Sequence, residues 1–167
     1  MIVDSSALIP LSRIGSLDLL RRMYRRVRTT RDVYRECVEE GAARPGADAL
    51  REAFDRWIEV VEPPRGAARL AAAEGIEPAD ASLLLLCEKA EDTLLTNDDH
   101  LIRVARARGI RGRWLTGAVL AATRKGLLTP AEAKELVTRL VGEGLWLSPE
   151  VFVAVLDAIE EMNASPR

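Results

Sequence analysis

Met1-Ile2-Val3-Asp4-Ser5-Ser6-Ala7-Leu8 is the stretch whose reading decides the fold. Ile2 and Val3 are apolar and β-branched and read as a buried strand, which Asp4 interrupts as the chain turns into an apolar helix. In an open α/β sheet, a carboxylate at the carboxyl end of a strand stands at the edge where ligands bind. It also stands where an aspartate caps the next helix, so Asp4 alone leaves both readings open. The balance turns on whether other acids reach the same edge.

Outward from Asp4 the chain alternates helix and strand. Residues 7–14 read as a short helix, Gly15 breaks it, and Ser16 starts a second helix to about residue 24. Residues 27–29 form a short strand, and Thr29 or Thr30 caps a helix to about residue 40 that contains Glu36. Pro45 and Gly46 release the chain into a helix over 47–56 and a strand over 58–61, stopped by Pro63 and Pro64. An alanine-rich helix over 67–74 ends at Gly75. Pro78 then opens a leucine-rich helix over 78–90 with Asp80 in its first turn, where the helix dipole alone favours an acid. Residues 93–96 read as a fourth strand, and Asn97-Asp98-Asp99 opens another helix with one acid more than a cap requires. A fifth strand over 110–115, weakened by arginines and a glycine, includes Trp114, read as core. Three helices follow, over 116–125, 129–143 and 148–162, with apolar residues at helical spacing; residues 163–167 should fray. This succession is α/β.

A chain of 167 residues is the size of one domain. No apolar run is long enough to span a bilayer and no secretory signal opens the sequence, so a cytoplasmic protein without a membrane segment is expected. Cys37 and Cys87 fall in helices without disulfide or zinc spacing, which suits buried thiols in a reducing compartment. The net charge of -2 argues against nucleic acid only if charge is evenly spread, and it is not. Arg21, Arg22, Arg25 and Arg26 share the polar face of an amphipathic helix and are candidate phosphate contacts; the plain alternative is a solvated face. Arg103, Arg106, Arg108, Arg111 and Arg113 form a second basic group.

Parallel, right-handed βα units start their helices at one edge of the sheet. Asp4, Asp80 and Asp98 all fall at such starts, and Glu36 lies a turn or two into another helix. Four carboxylates gathered there repel one another and raise one another's pKa values unless a divalent cation neutralises them. Oxygen donors of this kind suit Mg2+ or Mn2+, which keep several waters and bind phosphate oxygens.

These residues resemble the PIN-domain ribonucleases, and among them the VapC-like toxins of prokaryotic toxin–antitoxin pairs. The resemblance rests on Ile-Val-Asp-Ser-Ser-Ala-Leu-Ile at the start, Val-Tyr-Arg-Glu around Glu36, Gly-Ile-Glu-Pro-Ala-Asp-Ala-Ser around Asp80, and Leu-Leu-Thr-Asn-Asp-Asp ending at Asp99. It implies a three-layer α/β/α fold with a central parallel sheet of order 3-2-1-4-5. Residues 1–115 would form the nuclease core and 116–167 a C-terminal helical extension packed on the same domain. It further implies a site of Asp4, Glu36, Asp80 and Asp98, with Asp99 a less certain metal ligand and Ser6 and Thr96 as supporting hydroxyls. The implied activity is Mg2+- or Mn2+-dependent endoribonuclease cleavage of RNA, leaving a 5′-phosphate, in a homodimer restrained by a small cognate antitoxin. No general-base histidine is needed, and His100 reads as a surface residue.

Rival readings are weaker. A phosphotransfer receiver needs paired acids after the first strand, where Ser5 and Ser6 stand, and an Asp-x-Asp phosphatase needs an acid where Ser6 is. A serine hydrolase lacks its Gly-x-Ser-x-Gly elbow. The serious alternative is a PIN-like module that binds RNA or protein without cutting.

Overall fold

Ile2 and Val3, both fully buried, form the short central strand β1 (Ile2–Val3) of a five-stranded parallel sheet. The others are β2 (Val27–Thr30), β3 (Ile58–Val61), β4 (Leu94–Leu95) and β5 (Gly112–Arg113), in the order β3-β2-β1-β4-β5. The computed structural model of the chain describes residues 1–164, so the expected fraying of the tail lies, from residue 165, outside the described residues. Contacts divide the chain into two units, Met1–Arg113 and a second beginning at Trp114.

In the first unit the connections are α1 (Ser5–Arg13), α2 (Asp18–Met23), α3 (Arg31–Tyr34), α4 (Ala47–Arg56), α5 (Ala67–Glu74), α6 (Pro78–Ala90) and α7 (Asp99–Ala107). The chain runs from β1 outward through β2 to β3, then crosses back to add β4 and β5 on the other side. With right-handed crossovers this puts α1 to α4 on one face and α5 to α7 on the other, giving the three-layer α/β/α architecture. The direction of winding reverses between β1 and β4, and the crevice at their carboxyl ends is where such sheets bind ligands.

Several boundaries shift for local reasons. The fifth strand is two residues rather than six, because exposed Arg111 and small Gly112 supply little apolar surface to bury. Beyond α3 the backbone widens into a π-helical turn, Arg35–Glu39, in which the Glu40 N–H reaches the Arg35 carbonyl at 2.9 Å. The leucine run of α6 is sunk into the core, with Leu83 and Leu84 fully buried. Cys37 and Cys87 are free and buried, and burial pushes both thiols up, Cys87 to about 12. Among the described residues no helix is long and apolar enough to cross a membrane.

The second unit is helical: α8 (Leu115–Arg124), α9 (Pro130–Gly142) and α10 (Pro149–Ala164), which pack on one another. A capping box starts α9: the Thr129 hydroxyl accepts from the Glu132 N–H, and the Glu132 carboxylate accepts from the Thr129 N–H. Leu136, Val137, Leu140, Val155 and Ile159 are buried, as their spacing predicts. Val151, expected to pack, is instead exposed, and Trp114, read as core, is half-buried.

Candidate active site

Asp4 is the residue by which β1 leaves the sheet. Its N–H still donates to the Leu95 carbonyl of β4 at 2.9 Å, so backbone pairing fixes where its side chain begins. Asp4 occupies the N-cap position of α1, yet its side chain makes no capping bond. Its Oδ2 accepts instead from the Ser6 hydroxyl at 2.5 Å and the Thr96 hydroxyl at 2.7 Å, and the Ser5 hydroxyl donates to Oδ1 at 3.3 Å. The two hydroxyls are themselves oriented from behind. The Asn97 N–H donates to Ser6 Oγ at 2.8 Å and the Asp98 N–H to Thr96 Oγ1 at 3.1 Å. A buried carboxylate is therefore clamped by the ends of β1 and β4, and the capping reading of Asp4 falls.

The other acids come from three further elements. Glu36 is carried on the π-helical turn, Asp80 on the first turn of α6, and Asp98 on the loop before α7. Together with Asp4, Ser5 and Ser6 they line one open cleft of about 550 Å³. Asp98 keeps a structural duty as well, since its Oδ1 accepts from the Leu101 N–H at 2.8 Å and caps α7. The acids feel one another. Burial, then the charges of Asp4, Asp98 and Glu36, push the Asp80 carboxyl up to about 7, against a lowering hydrogen bond from the Glu77 backbone. Glu36 is raised chiefly by burial, with Asp4 and Glu40 adding to the rise and Ser5 and Arg44 opposing it.

The cleft also holds residues that reading the sequence missed: Asp32, Arg35, Glu40, Glu77, Pro78 and Ala79. Asp32 accepts from the Ser82 hydroxyl of α6 at 2.9 Å, tying α3, which leads into the turn that carries Glu36, to the helix that carries Asp80. The helical spacing of Asp32, Glu36 and Glu40 was a signal that could have found the first and third.

Other candidates lie elsewhere. Asp99 is exposed, pairs with Arg103 at 3.4 Å and does not line the cleft; His100 is exposed and outside it too. Arg21, Arg22, Arg25 and Arg26 are not brought to the acids. The Met1 ammonium, at the start of β1, donates to the Arg26 carbonyl at 3.0 Å, which places Arg25 and Arg26 at the amino ends of the strands, the opposite edge. Arg21 is paired with Asp18 at 2.7 Å and Arg26 with Glu59 at 2.7 Å. Of the second basic group, Arg108 is spent bridging Glu74 and Glu88.

Among the described residues, no three His, Cys, Asp or Glu side chains stand close enough to grip a metal ion directly. The donor set is nevertheless all oxygen, and the cleft is open and wide. That combination fits a hydrated magnesium or manganese ion reached partly through water, and not a dry cage or a soft metal.

Fold and cleft together define an α/β domain whose carboxylates gather at the switch point of a parallel sheet. The chain matches the DUF3368 family, described as a PIN domain, over residues 1–161, and it belongs to that family. PIN domains are generally nucleases and typically use divalent metal ions. No curated protein matches the chain.

Proposed function

We propose that this protein is a magnesium-dependent endoribonuclease, able to use manganese, and that it serves in the cytoplasm as the VapC-like toxin of a toxin–antitoxin pair, as a homodimer inhibited by a small cognate protein. The observation that carries the nuclease reading is the convergence of Asp4, Glu36, Asp80 and Asp98, from four separate elements, on one cleft at the carboxyl edge of the sheet. The toxin reading rests on the resemblance of the motifs around these acids, and an acidic cleft also offers a seat for an inhibitor's Arg or Lys.

Asp4, Glu36, Asp80 and Asp98 would hold the metal. Once bound, a divalent ion supplies a hydroxide-like water near neutral pH and offsets the charge of the phosphodiester. The protein's own part is positional. Ser6 and Thr96 fix the Asp4 carboxylate through Oδ2, so it has one orientation to offer. The Asp32–Ser82 bond holds α3 against α6, fixing the span between Glu36 and Asp80. Asp98, anchored through Oδ1 by its cap, can present only its second oxygen to the cleft. No histidine lines the cleft among the described residues, so proton removal falls to water and carboxylates.

Cleavage of single-stranded and structured RNA in magnesium, against the same reaction in chelator, is the direct test. Magnesium-dependent cleavage yielding 5′-phosphate ends supports the nuclease, and inhibition by the product of the neighbouring gene supports the toxin. A second reading, an RNA- or protein-binding PIN module that does not cut, is favoured by the spacing of the acids, none of which form a ready three-ligand set. RNA binding without cleavage in magnesium or manganese would establish it.

A further inference from the structure

The cleft has a charge problem that its acids cannot solve. Seven carboxylates line it, and the substrate proposed above is a polyanion. Among the described residues, one cationic side chain lines the same cleft, Arg35. It sits next to Glu36 at the start of the π-helical turn, on the wall facing α6.

Arg35 is tethered and not spent. Its nearest carboxylate oxygens are those of Asp32 at 3.8 Å and Glu39 at 4.0 Å, both beyond hydrogen-bonding length, and the side chain is 52% exposed. Arg26 and Arg108, by contrast, are gripped by carboxylates at 2.7 Å. Ion pairs as loose and exposed as those of Arg35 are weak, so leaving them costs little. Asp32 itself is held by Ser82, so the nearer of the two tethers is fixed in place beside the cleft that Arg35 lines. A π-helical turn of this kind, a recurrent feature of functional sites, places Arg35 and Glu36 side by side on the cleft.

We infer that Arg35 is the substrate-binding residue that grips a phosphate of the RNA strand on the Glu36 side of the cleft, exchanging its two loose carboxylate tethers for a charge-assisted hydrogen bond. A guanidinium suits the task because its planar fork matches phosphate oxygens and its charge persists at any working pH. This rests on the nuclease reading for the identity of the anion, while the geometry of Arg35 is independent of it.

Arg35→Ala and Arg35→Lys are to be compared with the parent by steady-state cleavage, by anisotropy of a fluorescein-labelled single-stranded RNA across a salt series, and by melting in a magnesium titration. Arg35→Ala should raise KM or the RNA Kd roughly tenfold, the low end for losing a charge-assisted hydrogen bond. It should flatten the salt dependence by about one released counterion. Arg35→Lys should recover part of both, and the magnesium-induced rise in melting temperature should persist in each variant. If Arg35 merely neutralises the acids, Arg35→Ala instead strengthens the magnesium response and leaves RNA affinity and salt slope unchanged, which overturns the inference. Should the parent bind RNA without cleaving it, the nuclease reading fails, and the anisotropy arm still decides on Arg35. Should the parent not bind RNA, the inference falls with it.

Discussion

The hydroxyls of Ser6 and Thr96, 90 positions apart in the chain, lie 3.0 Å from each other and both donate to the same oxygen, Asp4 Oδ2. Each accepts a backbone N–H from the turn after β4, so their protons have no freedom to point elsewhere. The pair thus joins the ends of two central strands through one buried carboxylate, and stability and site geometry depend on the same bonds.

Thr96→Val keeps the shape and removes the hydroxyl. It leaves one lone pair of the buried Asp4 carboxylate without its partner, and the part-buried Asp98 N–H as well. A loss of about 1–3 kcal/mol is expected in denaturant unfolding, together with much reduced cleavage. Ser6→Ala should cost less, because Ser6 is only partly buried and water can replace its hydroxyl. Equal stability of Thr96→Val and parent would show that the clamp contributes nothing.

Asp80 makes the metal-free protein sensitive to pH. Its carboxyl is raised from 3.8 to about 7 in the folded chain, so the unfolded chain gives up this proton first as pH rises. The folded state therefore loses stability through the window from about pH 4 to about pH 7, and no further above it. Glu36, also raised, acts in the same direction. In chelator, the parent's melting temperature should fall between pH 5 and pH 8 more than that of Asp80→Asn. Parallel curves for the two proteins would mean that the acids do not crowd one another.

Magnesium should raise the parent's melting temperature, since an ion bound only by the folded state stabilises it by mass action. Asp4→Asn, Glu36→Gln and Asp98→Asn should respond much less and lose cleavage, and neither Glu36→Gln nor Asp98→Asn should be less stable than the parent in chelator, because each removes one of several like charges. Asp98→Asn also preserves the α7 cap, for which Asn is as good as Asp. Asp99→Asn should be mild, as Asp99 pairs with Arg103 away from the cleft. A normal magnesium response and normal cleavage in Asp4→Asn would remove the acid site altogether.

Gly41 follows the π-helical turn, and a Cβ there would stand 2.6 Å from the Cys37 carbonyl oxygen and 3.1 Å from that of Glu36. Both obstacles are backbone, so Gly41→Ala must displace the turn that carries Glu36. A cost of about 1–3 kcal/mol is expected, with a weakened magnesium response. Gly142→Ala, where a Cβ meets nothing within 4 Å, should be neutral or slightly stabilising in the same unfolding measurement.

The sequence by itself determined what depends on neighbours along the chain. Pro78, Gly75 and Thr129 mark helix ends where the spacing predicts them, and β-branched Ile2-Val3 and Ile58-Glu59-Val60-Val61 are strands. The α/β class follows from that alternation because it is written in local patterns, whereas the strand order was legible only through the resemblance of the motifs. Tertiary structure alone decided between cap and site for Asp4: the deciding partner, Thr96, is 92 positions away and reaches Asp4 only because β4 pairs beside β1. It likewise kept Asp99, which the motif already ranked behind Asp98, out of the cleft, sent Arg25 and Arg26 to the far edge of the sheet, and brought Arg35 among the acids. Helical and strand periodicity fix which residues share a face of one element. Which faces meet depends on the order in which strands pair, and that order comes from burying all the apolar faces together.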